Sequence, residues 1–405
     1  MNISKNIISK NIEIFEQGNK YLMCTYSRLP VVFVKAKMQY LWDVEGSKYL
    51  DFIAGYGCLN VGHSNKFVVN ALKQQIGKII QPSNIYFNQP QVKLAKKLCE
   101  ITGFGEKVFF ANSGTESIEG AIKLARKYST DNYNSSRYEV ITFKRAFHGR
   151  TLGALAATAQ SEKQKLFEPL LAGFKYAELN DMDSVKALIN ENTCAIILEP
   201  VQGEGGVYPA DKEFMKSLKD ICSEKNIILV LDEIQTGFGR TGNMFAYQNY
   251  GIYPDILVVA KSLGGGMPIG AIISTNKISA SFGPGTHGST FGGNTASCSA
   301  GLAVLDYINE NRLVERSKKL GQYFIKKLMK IKNKYSVVKE IRGMGLMIGM
   351  EFNEPIVEKL VTDALKDKLV INKVSSSTLR FLPPLIITKN NIDRLVKWLD
   401  VNIKV

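Results

Sequence analysis

The chain has 405 residues and a formal net charge of +15, with 45% hydrophobic and 22% charged side chains. This composition is typical of a globular protein, and it excludes a disordered chain, a collagen-like fibre and a small disulfide scaffold. The length allows about two to three domains with a large buried core, and no apolar run approaches the roughly 20 residues that a membrane-spanning helix requires.

Residues 1–12 predict a plain N-terminal helix, because they lack the apolar core of a secretory signal and the arginines of a transit peptide. Six cysteines without a Cys-x-x-Cys pair predict reduced thiols in a cytoplasmic protein. The three histidines lie too far apart in the chain for a zinc cluster, so we expect no metal. The basic excess could indicate nucleic-acid binding, but the lysines are dispersed from Lys5 to Lys404, which favours solvated helix faces.

From about residue 106 to residue 275, short apolar runs alternate with helix-like segments. The runs have the length of buried strands and lie at residues 108–111, 140–143, 194–198, 227–231, 256–260 and 269–274. This alternation predicts an α/β fold with a mostly parallel central sheet that is covered by helices on both faces. Ligands bind at the carboxyl ends of the strands in such sheets, so we expect the chemistry just after these runs.

After about residue 300 the pattern changes. A helical stretch at 300–332 is followed by strands at 341–352, 369–373 and 379–382 and by a final helix at 391–401. This predicts a smaller α+β domain at residues 301–405. We expect a large domain at 61–300 and an N-terminal segment, 1–60, that packs with the small domain.

The first strand of the predicted sheet is followed by Ser113, Gly114, Thr115 and Glu116 at the start of a helix. Ser113 and Glu116 fit a capping box, which is a structural interpretation. The alternative is an anion site, because a helix N-terminus offers free N–H groups and the two hydroxyls add donors. No phosphate loop of the nucleotide hydrolases occurs, so the acidic strand at 229–233 does not indicate an ATPase.

Asp232 and Lys261 follow two neighbouring predicted strands. Each alone is commonly a solvated loop residue. Together, a carboxylate and a lysine at adjacent strand ends suit a cofactor with a cationic ring nitrogen and a reactive aldehyde. A partly desolvated lysine holds its proton less tightly, which is the state in which an amine attacks a carbonyl.

Five short stretches of the chain carry a further signal. They are NSGTE at 112–116, FHGRT at 147–151, EPVQGE at 199–204, DEIQTG at 232–237 and AK at 260–261. Each stretch is common by itself, whereas the ordered set is specific. In this order and spacing the stretches resemble a known family: the class III, fold-type I pyridoxal-phosphate aminotransferases, and within it most closely the acetylornithine aminotransferases.

The resemblance implies that pyridoxal 5′-phosphate is bound covalently by Lys261 and that Asp232 keeps its ring nitrogen protonated. Phe147 is expected to stack on one face of the ring, Ile234 to pack on the other and Gln235 to reach the ring hydroxyl. The residues expected at the phosphate are Ser113, Gly114, Thr115 and, from the neighbouring subunit of a homodimer, Thr290.

The resemblance also implies the substrate contacts. Arg150 is expected to bind the substrate carboxylate, for which its planar guanidinium is suited. Glu204 would neutralise Arg380 while the amine donor is bound and release it to bind the α-carboxylate of 2-oxoglutarate. Tyr21 and Tyr56 are further expected substrate contacts, and Tyr56 is a residue type found in ornithine δ-aminotransferases, which leaves the donor open.

The reaction expected from the resemblance is transfer of the δ-amino group of N-acetylornithine to 2-oxoglutarate, in arginine biosynthesis. Alternatives of the same type are ornithine, 4-aminobutyrate, succinylornithine and succinyldiaminopimelate aminotransferases. A glutamate-semialdehyde aminomutase would work without a keto-acid acceptor. A silent binding protein with the same fold would not be expected to retain Lys261, Asp232, Arg150 and Arg380.

Overall fold

The central sheet is the largest in the computed structural model, which describes residues 9–133 and 136–403. Within these ranges it has seven strands. Their spatial order is Lys107–Ala111, Gly270–Ser274, Ile256–Val259, Ile228–Asp232, Thr193–Leu198, Glu139–Phe143 and Phe174–Ala177. The predicted α/β class with a mostly parallel sheet is confirmed.

Two features of this sheet differ from the expectation. Gly270–Ser274 runs antiparallel to both of its neighbours, because no crossover helix separates it from Ile256–Val259. Phe174–Ala177 was not predicted; it is an edge strand whose residues are mostly half-buried, so it has no continuous apolar run. By contrast, every residue of Thr193–Leu198 and of Ile228–Asp232 is buried, which explains why these strands could be recognised.

Helices pack on both faces of the central sheet. In Gly114–Asn132, apolar side chains at helical spacing, including Ile118, Ile122 and Ala125, are buried. The other α-helices between residues 54 and 280 are Ala54–Gly57, Lys66–Ile76, Gln89–Thr102, Leu152–Ala157, Ser161–Gln164, Met182–Leu188, Lys212–Glu224 and Asn276–Ser279. Short 3-10 helices lie at Lys165–Phe167, Ala246–Asn249 and Lys261–Gly264, and a small ribbon pairs Val201–Gln202 with Tyr208–Pro209.

The N-terminal segment contributes a helix, Lys10–Tyr21, and a meander of three strands, Phe33–Lys37, Tyr40–Asp43 and Lys48–Asp51. Of the residues predicted as helix, 10–12 lie in this helix and residue 9 precedes it, while residues 1–8 lie outside the described ranges. The strand Leu369–Val370, from the C-terminal part, pairs in parallel with Lys48–Asp51 and joins the two ends of the chain in one sheet.

The C-terminal part is more finely divided than expected. The helical stretch predicted at 300–332 is two helices, Thr295–Glu310 and Leu313–Lys334, which are separated where Arg312 adopts a left-handed φ of 50°. The strand predicted at 341–352 is a hairpin of Val338–Met344 and Met347–Phe352, turned at Gly345 with a φ of 56°.

That hairpin belongs to an antiparallel sheet in the order Val338–Met344, Met347–Phe352, Thr378–Phe381 and Asn372–Ser375. Two helices, Val357–Lys366 and Lys389–Asn402, complete this part. None of the helices within residues 9–133 and 136–403 is long and apolar enough to cross a membrane.

Candidate active site

Asp232 and Lys261 lie at the same edge of the central sheet. Asp232 is the last residue of its strand and is in register with Val258, in the neighbouring parallel strand; Lys261 opens the short helix that follows. Both line a cavity of about 230 Å³, which we call the strand-end cavity. Its lining residues are Gly114, Thr115, Phe147, His148, Gly149, Arg150, Glu199, Glu204, Asp232, Ile234, Gln235 and Lys261.

Most of the predicted site residues are therefore brought together by the fold. Arg380 contacts two lining residues, Glu204 and Gln235, and Tyr56 lies next to Arg380. Ser113 precedes the lining residue Gly114 in the chain and does not itself line the cavity, and two further predicted residues stand apart from it. Tyr21 is 75% exposed at the end of its helix, and Thr290 is exposed in the turn before Thr295–Glu310.

The predicted anion site is the N-terminus of Gly114–Asn132. Ser113 caps this helix by accepting a hydrogen bond from the Glu116 N–H, at 3.3 Å. The Glu116 carboxylate accepts from the Asn112 N–H at 2.7 Å, one residue before the position a standard capping box requires. The Ser113 half of the predicted capping box is therefore present, and only the Glu116 half differs from the prediction. Gly114 and Thr115 face the cavity.

Two glycines keep the cavity open. A Cβ on Gly114 would lie 2.8 Å from Cδ1 of Ile234, and a Cβ on Gly149 would lie 2.1 Å from Oγ1 of Thr115. Gly149 also has a φ of 143°, which side-chain-bearing residues rarely adopt. A bulkier residue at either position would clash with a side chain that lines the cavity.

Asp232 has a buried partner that the sequence reasoning missed. The Nδ1 atom of His148 lies 2.7 Å from Oδ2 of Asp232, while the Ile234 N–H donates to Oδ1 at 3.0 Å. Burial alone would lower the pKa of His148, but the hydrogen bond and the charge of Asp232 outweigh it and raise the pKa. Nε2 of His148 is buried and has no hydrogen-bond partner in the part of the chain that the structure describes.

Glu199 is a second residue that the sequence reasoning did not single out. Its carboxylate accepts from the Phe147 N–H at 2.8 Å and from the Gly203 N–H at 3.1 Å. It thereby joins the segments that carry Arg150 and Glu204. Burial raises the pKa of Glu199 to about 7. Its place in the EPVQGE stretch was the available signal, but a hydrogen bond to a distant backbone segment cannot be read from a motif.

Lys261 is held in a strained backbone conformation with a φ of 43°. Desolvation by burial lowers the pKa of its amine, and the nearby charge of Arg380 acts in the same direction. No hydrogen bond or ion pair engages this amine among the residues in the described ranges. The charge of Glu204 opposes this shift but does not cancel it, so the amine loses its proton more readily than a free lysine, as a nucleophile or a base requires.

Arg380 is fully buried and its guanidinium is hydrogen-bonded on each side. One side pairs with Glu204 at 2.5 Å and contacts Oε1 of Gln235 at 3.3 Å. Burial by itself raises the pKa of Glu204, but the charges of Arg380 and Lys261 outweigh it and hold the pKa below its usual range. The ring of Tyr56, in left-handed backbone with a φ of 59°, lies 5.6 Å from the Arg380 guanidinium.

Arg150 lies at the exposed side of the cavity. Its guanidinium is 5.7 Å from the centroid of the Phe147 ring, and it forms no ion pair with any residue that the structure describes. An unpaired guanidinium beside a cavity is suited to a carboxylate ligand, because two parallel hydrogen bonds match the carboxylate geometry.

The chain is similar to known proteins along nearly its whole length. The model of the family "Aminotransferase class-III" matches residues 22–402. The acetylornithine aminotransferase of Caldanaerobacter subterraneus is 49% identical over 94% of this chain and 96% of its own length. The acetylornithine aminotransferase of Methanocaldococcus jannaschii is also 49% identical, over 94% of this chain and 95% of its own length.

Solved structures agree with these sequence relatives. The ornithine aminotransferase of Toxoplasma gondii superposes with a TM-score of 0.94 at 30% identity, covering 98% of this chain and 97% of that chain. The acetylornithine aminotransferase of Elizabethkingia anophelis has a TM-score of 0.87 at 31% identity and covers 97% of this chain and 99% of that chain.

Proposed function

Because the chain belongs to the class-III aminotransferase family, we propose that the strand-end cavity binds pyridoxal 5′-phosphate and transfers the δ-amino group of N-acetylornithine to 2-oxoglutarate. The products are N-acetylglutamate 5-semialdehyde and glutamate, and the reaction belongs to arginine biosynthesis. One observation carries the assignment: Lys261, Asp232, Arg150 and Glu204 line one cavity at the edge of the sheet.

The residues of the cavity fit this cofactor. The start of Gly114–Asn132 offers free N–H groups to a phosphate, and Gly114 and Gly149 leave the space that a Cβ would fill. Asp232 is only 3% exposed, so it can hold a proton on a ring nitrogen, and Gln235 provides a side-chain amide beside it. Phe147 and Ile234 provide apolar surface for the two faces of a ring.

Pyridoxal phosphate, when bound, supplies an aldehyde that reacts with amines and a ring that accepts the electron pair released when a substrate carbon is deprotonated. Asp232, oriented by His148, would keep the ring nitrogen charged, which this electron acceptance requires. Nζ of Lys261 would hold the cofactor covalently, and as a free amine it would move the proton from the substrate carbon to the reacting carbon of the cofactor.

Arg150 would bind the α-carboxylate of the amine donor at the exposed side of the cavity. Glu204 pairs with Arg380 in this structure, which suits a donor without a second carboxylate. When 2-oxoglutarate enters, release of Arg380 by Glu204 provides a cation for its α-carboxylate. One cavity can then accept two different charge patterns.

A homodimer would complete the phosphate site with Thr290 from the neighbouring subunit. Asn84 donates hydrogen bonds to the carbonyls of Ser289 and Gly292, so the segment around residue 87 lies beside the Thr290 turn. Phe87 is 95% exposed and Phe291 is 60% exposed. Large exposed apolar side chains of this kind are typical of subunit interfaces.

The proposed donor is tested by comparing kcat/KM for N-acetylornithine, ornithine, 4-aminobutyrate and the succinylated amines, with 2-oxoglutarate as acceptor. N-acetylornithine is expected to give the highest value. If another amine gives a higher kcat/KM, that amine is the donor and N-acetylornithine is not. Turnover that does not require 2-oxoglutarate would instead indicate an aminomutase.

A further inference from the structure

The side of the Arg380 guanidinium that faces away from Glu204 is held by a residue without an assigned role. Oδ1 of Asn372 accepts from both Nε and Nη2 of Arg380, at 3.2 and 2.9 Å. Asn372 and Arg380 are directly opposed in the antiparallel pairing of Asn372–Ser375 with Thr378–Phe381. This contact is therefore fixed by the register of the sheet.

The two partners of Arg380 differ in charge and in freedom to move. Glu204 is charged, its side chain is 29% exposed, and it lies in a glycine-rich turn between Gln202 and Tyr208. Asn372 is neutral and belongs to a strand. The Arg380 side chain itself is fully buried. If Glu204 withdraws, Asn372 still holds the guanidinium in place and leaves its positive charge uncompensated.

We propose that Asn372 is a positioning and specificity-determining residue, which orients Arg380 without neutralising its charge, so that the α-carboxylate of 2-oxoglutarate can bind after Glu204 moves. The inference rests on the proposed function and deepens it. An aspartate at position 372 would form a two-bond ion pair with Nε and Nη2, because carboxylates pair with guanidinium in that geometry. Arg380 would then remain neutralised in both half-reactions.

The test uses N372D in the full-length holoenzyme, with the two half-reactions followed separately by cofactor absorbance. The kcat/KM of the acceptor half-reaction with 2-oxoglutarate should fall about tenfold or more. The reason is that the buried Arg380, already paired with the new aspartate, would no longer bind the substrate carboxylate. The donor half-reaction with N-acetylornithine should change by no more than about twofold, since Arg380 is already neutralised there. The Kd of glutarate, a dicarboxylate that does not react, should rise by a factor similar to the loss of kcat/KM in the acceptor half-reaction.

N372S removes the acceptor oxygen of the amide without adding charge, and it should give a smaller acceptor-specific loss than N372D. Asn390→Asp is the control, because it adds the same charge at an exposed position of the same part of the chain. The inference is overturned if both half-reactions fall together, if neither falls, or if N372S loses as much as N372D.

Failure of the proposed function gives a different result. Suppose that the wild-type enzyme fails to react with N-acetylornithine while 2-oxoglutarate still converts its aminated form. In that case the proposed donor is wrong, and the inference about Asn372 is unaffected. A wild-type enzyme inactive in both half-reactions would refute both.

Discussion

His148 and Asp232 form a buried pair, with Nδ1 and Oδ2 separated by 2.7 Å, at the inner end of the strand-end cavity. The two residues lie 84 positions apart in the sequence. The other oxygen of Asp232 accepts from the Ile234 N–H. The pair fixes the orientation of the carboxylate that we assign to the cofactor ring.

The pair should make stability depend on pH. Asp232 raises the pKa of His148 above its usual 6.5, so the stabilisation is fully present below that pH and is lost as the pH rises through the folded-state pKa. In the cofactor-free wild type, the free energy of unfolding should therefore decrease as the pH rises above 6.5, and in cofactor-free H148Q this decrease should be absent. The measurement is urea denaturation at a series of pH values. His287→Gln is the control, because burial lowers the pKa at that position. Parallel pH curves for H148Q and the wild type would contradict the prediction.

Replacement of Lys261 by alanine should remove covalent cofactor attachment and reduce turnover by at least about 10²-fold, the lower end of what acid–base catalysis contributes. The measurement is the mass increase of the protein after incubation with pyridoxal phosphate and borohydride, together with steady-state turnover. Lys277→Ala, at an exposed position, should behave as the wild type. Retained activity in Lys261→Ala would assign the catalytic amine to another residue.

Replacement of Arg150 by alanine should lower kcat/KM for N-acetylornithine about tenfold or more, because a hydrogen-bonded charged contact contributes roughly 1.5–3 kcal/mol. N-(4-aminobutyl)acetamide, which lacks the carboxylate, serves as the matched substrate, and its kcat/KM should not change. An equal loss for both amines would show that Arg150 acts on the fold of the site and does not bind the carboxylate.

Contribution of Thr290 from the neighbouring subunit can be tested by mixing two defective chains. T290V should bind pyridoxal phosphate more weakly, and Lys261→Ala should be inactive. In a mixed dimer, one site would combine an intact Lys261 with an intact Thr290 from the partner, so activity at limiting cofactor should reappear. If Thr290 acts within its own chain, no site is complete and activity stays absent. The readout is turnover after co-expression and purification of the mixed dimer.

The sequence by itself predicted the central sheet and the positions of Asp232 and Lys261. Buried parallel strands are continuous apolar runs, and their carboxyl ends meet at one edge, so residues that follow two such runs can be expected to lie close together. The resemblance then supplied roles for the residues of the five stretches. These roles remain predictions until the substitutions are made.

The partners of those residues were decided only by the tertiary structure. His148 reaches Asp232, Glu199 joins two backbone segments and Asn372 holds Arg380 because the folded chain brings side chains from distant segments within hydrogen-bond distance. Local periodicity records which face of an element is buried, but it does not record which residue of another element lies opposite. For the same reason, the antiparallel direction of Gly270–Ser274 followed only from the packed sheet.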